Sequence, residues 1–275
     1  MLSFVLNDSL TKLVSASMGA PQLIFLRGLL ASVGLVLLAV TVIKLPPWRD
    51  TLGYIGHKWV FIRSCLDGMA SLVYLSAMFN MPLANATAIN MSTPLLIALF
   101  AALMLGERIS GRHWGIIGVG FMGVLMVVQP QADGFNAWGW VALAGTMFHA
   151  LRDLSVRHIP DHVPSIMVTL GTAITATLMA GIWALWHPWQ SVTWTEWALM
   201  TGAAVFLSIG YFLLIKATRI ADMTVIAPFR YMGLLTAVII GFVVWGDVPN
   251  ALAWVGMALL AGAGIWMIKD LPPRQ

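Results

Sequence analysis

The sequence predicts an all-α fold: a polytopic membrane protein of about ten transmembrane helices, arranged as two inverted repeats of about five each. Three observations predict it. The 275-residue chain is 60% hydrophobic and 9% charged, with a mean hydropathy of +0.87, whereas soluble domains are about 25% charged. Its apolar runs are long enough to cross a bilayer and are joined by short connections that leave no soluble domain between them. Finally, a pattern in the fourth run returns in the ninth. Ala84, Thr87 and Ile89 match Ala221, Thr224 and Ile226, and Gly106-Glu107 and Trp114 match Gly246-Asp247 and Trp254. A repeat with an odd number of crossings inserts its second copy upside down.

The first run, Met1 to Val14, is short. Its ~14 residues reach about 21 Å as a helix against about 30 Å of hydrocarbon. It begins at Met1 without a basic flank, which argues against a signal peptide and leads us to expect a chain clipped at its natural start. Gln22 to Ile43, Trp59 to Phe79, Ala84 to Leu105 and His113 to Val128 complete a first repeat over residues 1–129. Ala137 to Val156, Val163 to Trp186, Trp197 to Ala217, Met223 to Trp245 and Ala251 to Ile268 form a second over 137–269. Pro94 is expected to break the fourth run and Pro228 the ninth, freeing the carbonyls of Asn90 and Thr224. Paired broken helices in two halves point to a carrier's binding site, the plainer alternative being ordinary kinks.

Basic residues give the orientation. Lys44, Arg49, Lys58 and Arg63 surround the second connection, Arg108 and Arg112 the fourth, Arg152 and Arg157 the sixth, Lys216 and Arg219 the eighth, and Lys269 and Arg274 the tail. The odd connections, near Gly19, Gln131, Pro188 and Pro249, carry none, so both termini are expected in the cytoplasm. Tryptophans such as Trp59, Trp138, Trp186 and Trp254 fall near run ends and read as interfacial belts. The net charge of +4 is dispersed over these loops, which argues against a nucleic-acid partner and leaves the lipid bilayer and a small metabolite. Cys65 is the only cysteine, so no intrachain disulfide forms. The six histidines show no ligand spacing, so no metal or other cofactor is expected. An intramembrane enzyme would need a nucleophile beside a base or a ligand cluster, and no HExxH, GxSxG or paired-aspartate pattern is present. A membrane scaffold is the other alternative, for which charges inside the spans would be wasteful. Small residues, Gly111, Gly115, Gly118, Gly120 and Gly123 against Gly256, Gly262 and Gly264, suit close helix packing within one chain or a homodimer.

Charged residues inside apolar runs are the candidate site. Arg230 lies within the ninth run two residues after Pro228, where a guanidinium costs about 2.5–3.5 kcal/mol and is normally retained for a counter-charge or a substrate. Asp8 and Lys12, four apart, either pair with each other or serve a substrate or proton. Arg27 either snorkels to the outer interface or joins the site. Asp67 is deep enough to be a counter-ion for Arg230 or a proton carrier, unless Arg63 one turn earlier neutralises it. His149 could titrate near neutrality or simply pack. Tyr74, Asn90, Tyr211 and Tyr231 supply hydrogen-bonding groups at suitable depth.

The chain resembles the drug/metabolite transporter superfamily, in its ten-helix EamA-type branch. The resemblance rests on Asn7-Asp8-Ser9-Leu10 with Lys12, Phe25-Leu26-Arg27-Gly28, Gly106-Glu107-Arg108, Arg152-Asp153-Leu154, Ala227-Pro228-Phe229-Arg230-Tyr231 and Trp245-Gly246-Asp247-Val248-Pro249. It covers nearly the whole chain, with a short first helix and Asp247 in place of the commoner Glu as departures. It implies two bundles facing across a central cavity, in a carrier of the bacterial inner membrane. A small anionic or zwitterionic metabolite, amino-acid-like or a carboxylate, is the expected substrate for Arg230. A larger planar one such as riboflavin or S-adenosylmethionine is the alternative, and export and uptake both stay open.

Overall fold

The computed structural model describes residues 2–43, 53–106, 110–129, 137–160, 162–220 and 223–269; the side chains at 42–43, 105, 157, 212, 214–220, 223–231 and 267–269 fall outside that description. Its regular elements are all helical: α1 (Leu2–Val14), α2 (Ala20–Leu38, continued by a π-helical turn at Ala39–Ile43), α3 (Lys58–Phe79), α4 (Leu83–Asn90), α5 (Thr93–Leu105), α6 (Gly111–Val128), α7 (Trp138–Ser155, followed by a 3-10 turn at Val156–His158), α8 (Ser165–Ala184), α9 (Trp194–Ile220), α10 (Met223–Trp245) and α11 (Ala251–Lys269). Five stretches of the described residues are long and apolar enough to cross a membrane: Ala20–Thr41, Lys58–Phe79, Leu83–Met104, Gly111–Val128 and Ser165–Ala184. Met232–Trp245 and Ala251–Trp266 are shorter apolar helices.

The helix ends follow local chemistry. The α4 helix starts after Pro82 and α8 after Pro164, each held extended as the residue before the first turn. The α9 helix opens on a reciprocal capping box: Glu196 N–H donates to Thr193 Oγ1 at 3.3 Å, and Thr193 N–H donates to Glu196 Oε2 at 2.7 Å. Asn250 caps α11 through the N–H of Ala253 at 2.8 Å. The α5 helix ends at Gly106 with φ 67°, and Gly246, just past α10, has φ 71°; these left-handed stops are where only glycine avoids strain. The seventh run is therefore shorter than its apolar limits, because Pro164 sets the start of α8.

The fourth run divides into α4 and α5 at Met91 and Ser92. Pro94 occupies the first turn of α5, where its missing N–H is no loss. The carbonyl of Asn90 accepts instead from the hydroxyl of Thr93 at 2.6 Å. The ninth run corrects its expectation: the backbone of α10 passes through Pro228 as one helix. A proline removes a single intrahelical hydrogen bond, and near a helix start that loss does not force a break.

The packed pairs are α1 with α9 and α10, α2 with α8 and α9, α3 with α7 and α8, α4 with α6, α7 and α10, α5 with α7, and α6 with α11. Small residues set the tightest crossings. A Cβ at Gly123 would lie 2.7 Å from the carbonyl oxygen of Gly256, and one at Gly256 would lie 2.6 Å from that of Gly123. Between α3 and α7, a Cβ at Gly145 would meet the backbone of Tyr74 at 2.8 Å. Leu83, Ile89, Leu95 and Leu96 are fully buried, so the divided α4–α5 rod runs through the core. Leu103, Leu178, Ile239 and Val243 are exposed, the apolar exterior that hydrocarbon accepts and water does not.

Candidate functional site

Between the helices lies a cavity of about 230 Å³. Helical spacing brings its walls together. On α3, Arg63, Asp67, Ser71 and Tyr74 succeed one another at four, four and three residues, so one stripe of the helix faces the cavity. On α7, His149, Arg152 and Asp153 form the same kind of stripe, and on α8 Thr169, Thr172 and Thr177 do so. Asn7 and Asp8 come from α1, Arg27 from α2, and Asn90, Thr93 and Pro94 from the α4–α5 junction. Tyr211 comes from α9 and Gly233 from α10.

Among the described residues, three guanidiniums and three carboxylates line this space: Arg27, Arg63, Arg152, Asp8, Asp67 and Asp153. Arg152 is saturated by acids. Its Nη1 donates to Asp67 Oδ1, while its Nη2 and Nε lie 2.9 Å from Asp153 Oδ1. That pairing ties α3 to α7 and gives Asp67 a partner, Arg152, that spacing along the chain does not suggest. Arg63 Nη1 instead donates to Thr172 Oγ1 at 2.7 Å, linking α3 to α8. Arg27 does not snorkel: it is 7% exposed and donates from Nη1 to Asn7 Oδ1 at 3.1 Å, and Asn7 Nδ2 donates onward to Asp8 Oδ1 at 2.9 Å. The Nε atoms of Arg27 and Arg63 are buried and have no hydrogen-bond partner among the described residues.

Asp8 and Lys12 do not pair with each other. Lys12 turns away, donating to the carbonyl of Met81 after α3 and lying 5.1 Å from the ring of Trp245, outside the cavity. His149 joins the junction of the divided rod: its Nδ1 is 3.1 Å from Asn90 Oδ1 and its ring packs 5.5 Å from that of Tyr74. Tyr211 stands edge-on to Phe4 at 5.4 Å. The side chains of Arg230 and Tyr231, with that of Pro228, lie outside the described residues; Gly233, one turn after Arg230, borders the cavity. Among the described residues no group of three His, Cys, Asp or Glu could hold a metal ion.

Arg63, Arg152, Thr172 and Thr177 are cavity residues that the sequence reading missed. The two arginines read as loop-flanking charges because they lie near run ends. The signal that could have found Arg63 is its spacing from Asp67 and Ser71, a polar stripe on one helical face; His149, Arg152 and Asp153 give the corresponding stripe for Arg152.

Comparison with known proteins agrees with this architecture. The EamA-like transporter family matches the chain twice, at residues 1–129 and 136–269. The pseudopaline exporter CntI of Pseudomonas aeruginosa is 26% identical over 270 residues, covering 96% of this chain and 91% of that one. A riboflavin transporter of Vibrio cholerae is 27% identical, covering 94% and 87%. An S-adenosylmethionine uptake transporter of Rickettsia bellii is 28% identical over 202 residues, covering 73% and 68%. A solved crystal structure superposes with a TM-score of 0.58 at 17% identity over 98% of this chain and 95% of that one, which establishes the fold alone.

Proposed function

The chain belongs to the EamA-like transporter family, a multi-pass membrane transporter rather than an enzyme, and from that premise we propose that it carries a small anionic or zwitterionic metabolite across the bacterial inner membrane by alternating access. The single observation that carries this reading is the charged lining of the cavity, Arg27, Arg63 and Arg152 with Asp8, Asp67 and Asp153, drawn from both family repeats. Charges inside a membrane protein are retained for a polar cargo or for one another. Among the described residues, Arg152 is the cavity guanidinium that carboxylates contact directly.

Ten crossings in two inverted halves, 1–129 and 137–269, with both termini cytoplasmic, are part of the same reading. Two features support it. Exchanging α1, α2, α3, α4–α5 and α6 for α7, α8, α9, α10 and α11 turns the packed pair α3–α7 into α9–α1, and α3–α8 into α9–α2. The matched glycines Gly106 and Gly246 both hold positive φ. The cavity, at about 230 Å³, lies below the ~300–1,000 Å³ of sites for drug-sized ligands, which favours a compact solute over a planar cofactor-sized one.

Arg230 is proposed to contribute from α10, one turn before Gly233. The test is flux of labelled metabolites into or out of proteoliposomes. Arg230→Ala should abolish transport of an acidic substrate, and Arg230→Lys, which keeps the charge but not the planar fork, should be intermediate. Full transport by Arg230→Ala would remove that residue from the site.

A further inference from the structure

We propose that the cavity receives a substrate bearing two separate acidic groups, one seated at Arg27 and the other at Arg63, an inference that rests on the carrier reading and narrows its substrate class. The three cavity guanidiniums are not equivalent. Arg152 directs Nε, Nη1 and Nη2 at carboxylates. Among the described residues, Arg27 and Arg63 each make one side-chain hydrogen bond, and each to a neutral acceptor, the amide oxygen of Asn7 and the hydroxyl of Thr172. A guanidinium carries five N–H donors. In both residues the buried Nε is left without an acceptor while the side chain lines the cavity. A buried donor without a partner is a costly state, and an oxyanion is the partner whose geometry fits a guanidinium in bidentate fashion.

The two guanidiniums are held by different neighbours: Arg27 on α2 leans on α1, and Arg63 on α3 leans on α8. They form two seats on one cavity wall system rather than one clamp. Asp67 and Asp153 are already engaged by Arg152 and do not neutralise Arg63 by a hydrogen bond. Asp8 receives an N–H from Asn7 and stands beside the Arg27 seat, where it suits an ammonium group on the same substrate. A compact amino-dicarboxylate satisfies these requirements together, whereas a monocarboxylate leaves one guanidinium unanswered.

The test uses purified full-length protein in nanodiscs and acid/amide pairs that differ by one charge at equal size: aspartate with asparagine, glutamate with glutamine, and 2-aminoadipate with its side-chain amide. Thermal shift and competition are read at constant ionic strength. At least one diacid is expected to bind about tenfold or more tightly than its amide. Arg27→Gln and Arg63→Gln should each reduce that diacid to the level of the amide, while Arg27→Lys and Arg63→Lys retain part of the preference. Monodisperse size-exclusion profiles check folding, and if the Gln variants fail to fold, the Lys variants decide by whether the preference falls. Equal binding of acid and amide throughout, no diacid binding, or an undiminished preference in both sets of variants would overturn the proposal. Proteoliposome flux of a neutral or monoanionic solute alongside any of those results would leave the carrier reading standing and this inference refuted.

Discussion

Removing the carboxylate at Asp67 perturbs the best-defined charge contact in the cavity. The Asp67 side chain is 5% exposed and that of Arg152 is 16% exposed, so the pair is nearly dry. Breaking a buried ion pair by removing one partner costs about 3–5 kcal/mol. Arg152 keeps Asp153 at 2.9 Å, and an asparagine at 67 keeps an acceptor oxygen, so Asp67→Asn should cost about half of that range, ~2 kcal/mol. For a chain of this size that is a fall in melting temperature on the order of 5 °C. Arg152→Met should be worse, because it strands two carboxylates at once. Combining Asp67→Asn with Arg152→Met should recover much of the loss, with a coupling of ~2 kcal/mol, since the uncompensated charge rather than the missing bond dominates. Intrinsic tryptophan fluorescence melts of the four proteins in nanodiscs supply the cycle. An unchanged melt for Asp67→Asn, or strictly additive single effects, would refute the reasoning.

Two further outcomes follow from the backbone. Gly123→Ala puts a methyl 2.7 Å from the carbonyl oxygen of Gly256 and 3.1 Å from the amide nitrogen of Leu260, so α6 and α11 must part; a loss of about 1–3 kcal/mol is expected in the same melts. If the family repeats are inverted in the membrane, reporters after Arg112 and Lys269 should read cytoplasmic and one near Pro188 external, whereas an external signal at Lys269 would end the ten-crossing arrangement.

Composition and run length were sufficient for a helical membrane protein, because bilayer hydrocarbon forces long apolar helices whatever their partners. The site was legible where a charged or polar side chain interrupts an apolar run, as Tyr74, Asn90, His149 and Tyr211 also do at the cavity. Arg27, Asp8 and Asp67 stand out in that way, and all three line the cavity. Arg63 and Arg152 hide near run ends, where a cytoplasmic loop explains a basic residue equally well. The partnership of Asp67 with Arg152 spans 85 positions between two helices, and spacing within one helix cannot reveal it. The expectation that Asp8 and Lys12 pair rested on their i,i+4 spacing, but Asn7 reached the carboxylate and a free carbonyl after α3 reached the ammonium. Pro94 and Pro228 read alike in sequence. Only Pro94 has a hydroxyl residue directly before it, Thr93, to take up the carbonyl it releases at Asn90.

The division between α4 and α5 has a mechanical consequence. A continuous helix resists bending because its hydrogen bonds must stretch together, but at Met91–Ser92 the load is already borne by short substitutes: Ser92 and Thr93 hydroxyls on the carbonyls of Ile89 and Asn90. The rod therefore has a joint with low bending stiffness, placed where Asn90 and Thr93 border the cavity. Both arms rest on α7, and α4 rests on α10 as well. Any bend of the rod is therefore concentrated beside Asn90 and Thr93, at the cavity wall, rather than spread along its length.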